Sequence, residues 1–234
     1  MNDDYKNLLA HWDSAFCITD EDMAQMRAEP IPEESIAELA PSAKLFEAAR
    51  SMKDCRNALD HGCGSGWAGV VMAKSGCPCV TCADAAPNAA KLAGLYAELF
   101  GVRDRVHPVC IDENWLAAQP DETYDGFFCS NVLDVVPPEM AEDIIRHAAR
   151  VVTRDAKIVI GLNYWLSPER AAEKGMELTE DGRLYADGVL RLVSRTDEQW
   201  IEAFAPYFTV EKLDHFAWPG EQNETRRLFF LKKA

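Results

Sequence analysis

A chain of 234 residues, 48% of them hydrophobic, is long enough to bury a full core and suits one large domain rather than two. Its 39 acidic against 24 basic side chains leave a formal net charge of −15, which repels a phosphate backbone and speaks against DNA or RNA as a partner. No run of about 18 apolar residues occurs, the start Met1-Asn2-Asp3-Asp4 is acidic where a secretory signal is basic, and the eight cysteines lack a small secreted frame, so a reduced, cytoplasmic protein with no membrane partner is expected.

Residues 1–55 read as helical. Asp3 to Phe16 sets Leu8, Leu9, Trp12 and Phe16 at helical spacing, and Thr19-Asp-Glu-Asp22 has the form of a capping box opening a second helix. Pro30, Pro32 and Pro41 punctuate the next stretch of chain, with Pro41 placed to start the helix that carries Leu45, Phe46 and Ala49. From residue 56 short apolar strands alternate with longer helical segments. Strands are expected near 56–60, 79–83, 106–110, 124–129 and 156–162, and helices at 67–75, 87–100 and 138–150, with Pro87 and the pair Pro137-Pro138 at helix starts. This rhythm predicts an α/β fold, a doubly wound and mostly parallel sheet with helices on both faces.

Residues 163–195 break the rhythm. Asp181-Gly182 and Asp187-Gly188 flank Arg183-Leu-Tyr185, which suggests a small hairpin covering something. Thr196-Asp-Glu-Gln199 is another capping box, opening a helix through Phe204. Two strands, Phe208 to Trp218 and Thr225 to Ala234, joined by the turn-rich Pro219-Gly220-Glu-Gln-Asn223, then close the chain as an antiparallel hairpin.

Leu59-Asp-His-Gly-Cys-Gly-Ser-Gly-Trp-Ala-Gly69 places Gly62, Gly64, Gly66 and Gly69 directly after the first strand. Glycine there permits a sharp turn and lets a ligand lie against bare backbone. The G-x-G-x-x-G pattern of Gly64 to Gly69 alone also fits a dinucleotide, with pyrophosphate at a helix N-terminus. Asp84 follows Gly64 by 20 residues, at the end of the second strand, where a carboxylate accepts both hydroxyls of an adenosine ribose. Asp60, at the end of the first strand, disfavours phosphate beside it and favours a cation.

The register Asp60-His-Gly62-Cys-Gly64-Ser-Gly66 resembles the first motif of the class I S-adenosylmethionine-dependent methyltransferases, whose ligand carries an ammonium and a sulfonium instead of phosphates. The resemblance covers about residues 56 to 163, and more loosely the rest. It implies a seven-stranded sheet whose last strand is antiparallel, S-adenosyl-L-methionine as cofactor, and methyl transfer to a small-molecule acceptor. Asp84 matches the acidic residue that holds the ribose, and Asp112 the one that reads the adenine amino group. Asn131 to Val135, in a segment resembling the family's fourth strand, fall where donor meets acceptor. The implied donor set is Asp60, His61, Gly62, Cys63, Gly64, Gly66, Asp84, Ala85, Asp112, Glu113 and Asn131. As one methyltransferase domain over 1–234, the chain divides into a helical cap (1–55), a donor-binding core (56–162), an insertion or lid (163–195) and a C-terminal helix and hairpin (196–234).

Departures narrow the substrate. Ser130-Asn131-Val132-Leu133 stands where amino-methyltransferases of nucleobases and protein amides carry Asn/Asp-Pro-Pro-Tyr. Gly161-Leu-Asn163-Tyr164-Trp165 lacks the carboxylate that catechol-type enzymes use to hold magnesium, so no metal is required. Cys77-Pro-Cys79-Val-Thr-Cys82 looks like a soft-metal cluster, yet strand alternation sends Cys79 and Cys82 to opposite faces.

Methyl transfer from a sulfonium needs collinear, dry reactants more than it needs a base. The catalytic candidates are His11, Asp134 and His215, with Tyr164 as an orienting group. Each has a plainer reading: a surface or packing role for His11, a helix cap for Asp134, a structural histidine at His215, and core packing for Tyr164 and Trp165 as against an aromatic wall facing the cleft. His61 is expected to lend backbone near the methionine moiety and aim its ring at a neighbouring element, and Trp67 to pack under its helix or wall the pocket. A nicotinamide-dependent oxidoreductase is the alternative enzyme, opposed by Asp60 and the lack of a separate substrate domain; a non-catalytic S-adenosylmethionine-binding protein is the third reading. Oligomeric state is not written in these residues.

Overall fold

Alternating apolar runs and helical segments become, in a computed structural model of the chain, a seven-stranded sheet in the order β3-β2-β1-β4-β5-β10-β9. The structure describes residues 3–29 and 31–234; Met1, Asn2 and Pro30, the last among the expected punctuating prolines, lie outside the described residues. Two helices, α1 (Asp3–Ala15) and α2 (Asp20–Ala28), come first, and Thr19 caps α2 in the expected reciprocal box with Asp22. A 3₁₀ turn (Glu33–Leu39) leads to α3 (Ala43–Arg50). The α3 start differs from expectation: Ser42, not Pro41, is the cap, its hydroxyl accepting the Leu45 N–H at 3.2 Å.

Five parallel strands come next with their crossover helices: β1 (Ala58–His61), α4 (Trp67–Ser75), β2 (Val80–Asp84), α5 (Pro87–Leu99), β3 (Val106–Cys110), the short α6 (Trp115–Ala118), β4 (Tyr124–Ser130), α7 (Pro138–Val151) and β5 (Val152–Leu162). Pro87 and Pro138 open α5 and α7, where a missing N–H costs nothing. β5 starts earlier than expected, because a register shift carries its pairing with β4 back from Gly126↔Lys157 to Tyr124↔Val152. The sheet packs on both faces. One buries Leu59, Phe127 and Ile160 against α7 and later residues Trp200 and Phe204; the other buries Ala58, Phe128 and Val159 against α3, α4 and α5.

Residues 163–195 form more than a hairpin. After α8 (Pro168–Glu173), β6 (Glu177–Leu178), β7 (Arg183–Ala186) and β8 (Val189–Val193) make a separate three-stranded antiparallel sheet, and Gly182 and Gly188 turn at φ +86° and +72° in the two Asp-Gly links. Thr196 caps α9 (Asp197–Phe204) with the expected box, and the hairpin of β9 (Phe208–Phe216) and β10 (Arg226–Lys233) inserts β10 beside β5, antiparallel to it. Strand order therefore reverses between β1 and β4, the switch point at which open α/β sheets bind ligands beyond the carboxyl ends of their strands.

Candidate functional site

The turn from β1 into α4 lies at this switch point. Gly62 and Gly66 adopt φ +68° and +76°, which L side chains rarely take. Close approach is equally demanding: a Cβ at Gly62 would stand 2.2 Å from Val132 Cγ2, and one at Gly66 would stand 2.6 Å from the Ala93 Cβ of α5. Asp84, at the end of β2, braces the same turn. Its Oδ2 accepts the Gly64 N–H at 2.8 Å and its Oδ1 the Ala86 N–H at 2.9 Å, while burial raises its pKa. Each oxygen keeps a further lone pair.

A cleft of about 510 Å³ opens above these strand ends. His61, Gly62, Cys63, Gly64, Asp84, Ala85, Asp112, Glu113 and Asn131 all line it. Asp60 and Gly66, also in the implied donor set, do not. Gly66 is buried beneath the turn at the start of α4, and Asp60 is 2% exposed, its Oδ2 accepting the Gly69 N–H at 3.2 Å. Asp60 therefore acts on a ligand only through the loop it holds and through its charge.

Burial pushes the Asp60 carboxyl up to about 7, against the Gly69 hydrogen bond that pulls it down, with the Asp84 charge adding to the rise. Between about pH 4, where an unfolded Asp ionises, and pH 7, the folded protein holds a proton that the unfolded chain has lost, so stability falls as pH rises through that window. Asp60→Asn removes this dependence. Its melting temperature relative to wild type is expected to be several degrees more favourable at pH 8 than at pH 5; a difference that shrinks with pH would contradict the assignment. His61, which burial holds down at about 4, works in the opposite sense below pH 6.5, and cancels in the difference because both proteins contain it.

The four catalytic candidates lie outside the cleft, each held by a partner remote in sequence. His11 on α1 is not among the lining residues, its Nε2 2.5 Å from Arg191 Nη1 on β8, while its neighbour Trp12 lines the cleft. Asp134 is fully buried and caps no helix: its Oδ2 accepts the Asn163 N–H at 2.6 Å, and burial pushes its carboxyl up to about 6 despite the pull of Arg227 and Asn163. Tyr164 packs against the Arg226 guanidinium, 5.5 Å from the ring, and with Trp165 borders a different surface groove, so neither walls the cleft as expected. His215 is exposed on the edge strand β9, with its Nε2 2.8 Å from Asp197. Trp67 satisfies both of its readings, meeting Phe128 edge-on at 5.8 Å and lining the cleft. Among the described residues no three His, Cys, Asp or Glu side chains gather as a metal ion would need; the Cys77 thiol donates to the Cys79 carbonyl at 3.3 Å.

The 163–195 segment contributes nothing to the cleft wall; it braces α1, which does. Asp4 takes the Tyr185 hydroxyl at 2.8 Å and pairs with Arg183 at 3.3 Å. Phe16 then reaches Gly64, its ring edge 2.9 Å from where a Cβ would stand.

Several cleft residues had no local signal. Tyr5, Leu39, Met140 and Trp218 come from α1, the 3₁₀ turn, α7 and the β9–β10 loop. Trp218 is set by Arg226, whose guanidinium carbon lies 3.4 Å from the indole centroid and whose nitrogens hold Glu221 at 2.7 to 3.0 Å. A buried arginine so stacked fixes the loop that carries the ring.

A model of the methyltransferase domain family matches residues 58–155, from β1 into β5. A search of curated proteins finds no match. Among solved structures, a complex of DhpI with SAH aligns with 98% of this chain and 96% of its own, at 16% identity and a TM-score of 0.61. A magnesium protoporphyrin IX methyltransferase from Synechocystis PCC 6803 with bound SAM aligns over 86% of this chain and 79% of its own, at 15% identity and a TM-score of 0.57. A mitomycin 7-O-methyltransferase aligns over 82% of this chain at 17% identity and a TM-score of 0.57, and the chain spans 55% of its length. A methyltransferase domain is thus matched over residues 58–155, and the sheet that an antiparallel β10 completes shares the fold of these solved structures.

Proposed function

We propose that the chain transfers the methyl group of S-adenosylmethionine to a small-molecule acceptor by in-line displacement, with no metal required. The observation that carries this reading is the Asp84 carboxylate, bonded to the Gly64 N–H at the switch-point cleft. Its two oxygens suit the ribose hydroxyls, and Asp112 and Glu113 stand beyond it on the adenine side. The cleft's charged lining is carboxylate only, Glu38, Asp84, Asp112 and Glu113, with no Lys or Arg among its described residues. A sulfonium is favoured there and a pyrophosphate is not. A sulfonium is also its own good leaving group, so the protein's part is to align donor and acceptor and exclude water.

In this reading residues 1–55 cap the acceptor and the 163–195 segment stiffens that cap. A cytoplasmic location is supported by eight cysteines that are all unpaired, and a small acceptor in preference to nucleic acid by the net charge of −15. Among the described residues no helix is long and apolar enough to cross a membrane.

Thermal melting with S-adenosylhomocysteine, S-adenosylmethionine and NAD added separately tests the donor. A ligand at about 100 times its dissociation constant adds roughly 2.7 kcal/mol, and at about 2–4 °C per kcal/mol a rise of roughly 5–11 °C is expected with the first two and none with NAD. A rise with NAD alone would replace the reading with the oxidoreductase one.

A further inference from the structure

Among the described residues the His61 side chain makes no hydrogen bond. At the end of β1 it is 6% exposed, and it lines the cleft. Its Nδ1 is fully buried with no partner, no described protein group bonds Nε2, and the residue borders the cleft. The imidazole lies nearly flat on Phe127, centroids 6.1 Å apart at 24°, which fixes its plane without satisfying either nitrogen. The Asp84 carboxylate beside it bonds two backbone N–H groups, and Asp60 one.

The surrounding wall defines what could pair with it. Tyr5, Leu8, Trp12, Phe16 and Trp218 make it predominantly apolar and aromatic, and every charge in the lining is negative. An acceptor bearing carboxylate or phosphate would be repelled with no cation to hold it.

We propose that His61 hydrogen-bonds the hydroxyl of an uncharged, otherwise apolar acceptor, and that this hydroxyl is the group methylated; the inference rests on the methyl-transfer reading. With the ring proton on Nδ1, the Nε2 lone pair accepts the acceptor O–H and turns an oxygen lone pair toward the donor methyl. The C–O bond forms as the C–S bond breaks, and the C–S electron pair stays on sulfur, leaving neutral S-adenosylhomocysteine. The oxygen proton passes along the hydrogen bond to Nε2 and from there to water. Burial keeps the ring neutral at ordinary pH, and a weak base is enough, because an alkylated oxygen that still carries its proton is a strong acid.

Calorimetric titration of protein saturated with S-adenosylhomocysteine tests this with three probes: 2-naphthol, naphthalene and 2-naphthoate. The naphthol is expected to bind about 3- to 10-fold more tightly than the hydrocarbon, the range of one neutral hydrogen bond, and the naphthoate more weakly than either. His61→Phe should erase the advantage of naphthol while still binding naphthalene, and His61→Gln should restore part of it. In wild-type protein labelled with ¹⁵N at histidine, the His61 Nε2 resonance should move with naphthol and not with naphthalene, a readout that needs no variant to fold. An advantage that survives His61→Phe, an unmoved resonance, naphthoate binding as well as naphthol, or failure of all three probes to bind would each overturn the proposal. Failure of S-adenosylhomocysteine to bind, seen before any probe is added, would instead remove the methyl-transfer reading beneath it.

Discussion

Asp84→Ala is expected to weaken S-adenosylhomocysteine binding by about 100-fold or more, measured by calorimetry. In the free protein each Asp84 oxygen accepts one backbone N–H, from Gly64 or Ala86. Asp84 lines the cleft, and in the proposed reading its remaining lone pairs accept two ribose hydroxyls, in charge-assisted bonds each worth about 1.5–3 kcal/mol. Their joint loss is about 3–6 kcal/mol, or roughly 10²–10⁴-fold at 1.4 kcal/mol per decade. The variant also frees Gly64, so part of the loss comes from a donor loop that must be ordered on binding. Asp84→Asn separates the two effects: its carbonyl oxygen still accepts one bond, and an intermediate loss of about tenfold is expected. Unchanged affinity in the alanine variant would mean that the ribose lies elsewhere.

The second large effect is on stability. Gly66→Ala must hold a side chain at φ +76° and place its Cβ 2.6 Å from the Ala93 Cβ and 2.9 Å from the Ala93 Cα, so α4 has to move off α5. The left-handed backbone costs about 1–2 kcal/mol and the overpacking about 1–3 more. At roughly 2–4 °C per kcal/mol, a fall in melting temperature of about 5–15 °C is expected. Gly101→Ala is the matched control, since Gly101 has φ +66° with nothing within 4 Å of its Cβ position, and should show the backbone cost alone. Equal losses in the two variants would refute the close approach of α4 and α5 as the reason for glycine at 66.

Sequence by itself determined whatever is set within a few residues or by hydrophobic period. Thr19 and Thr196 cap α2 and α9 because a hydroxyl reaches only the N–H groups of the next turn, and Pro87 and Pro138 open α5 and α7 because proline fits only there. Continuous apolar runs marked strands buried on both faces, and these gave the parallel sheet with its antiparallel hairpin. The meeting of Asp84 with the glycine turn was legible for a related reason: the spacing from Gly64 to Asp84 is the length of one helix crossover, and it returns the carboxylate to that turn.

Tertiary structure alone decided what lies opposite that loop. His11 meets Arg191, Asp134 meets Asn163, and Arg226 stacks on Trp218; the first two pairs are 180 and 29 residues apart. A residue's type and its place at a strand end do not say which way its side chain leaves the chain, and for a loop residue such as Tyr164 no period constrains it. Four polar residues thus looked available for chemistry, and each proved to be engaged by a distant partner. Nor does sequence reveal a missing partner: His61 read as part of a glycine motif, and only the packing of Phe127 beneath it leaves its ring unpaired at the cleft.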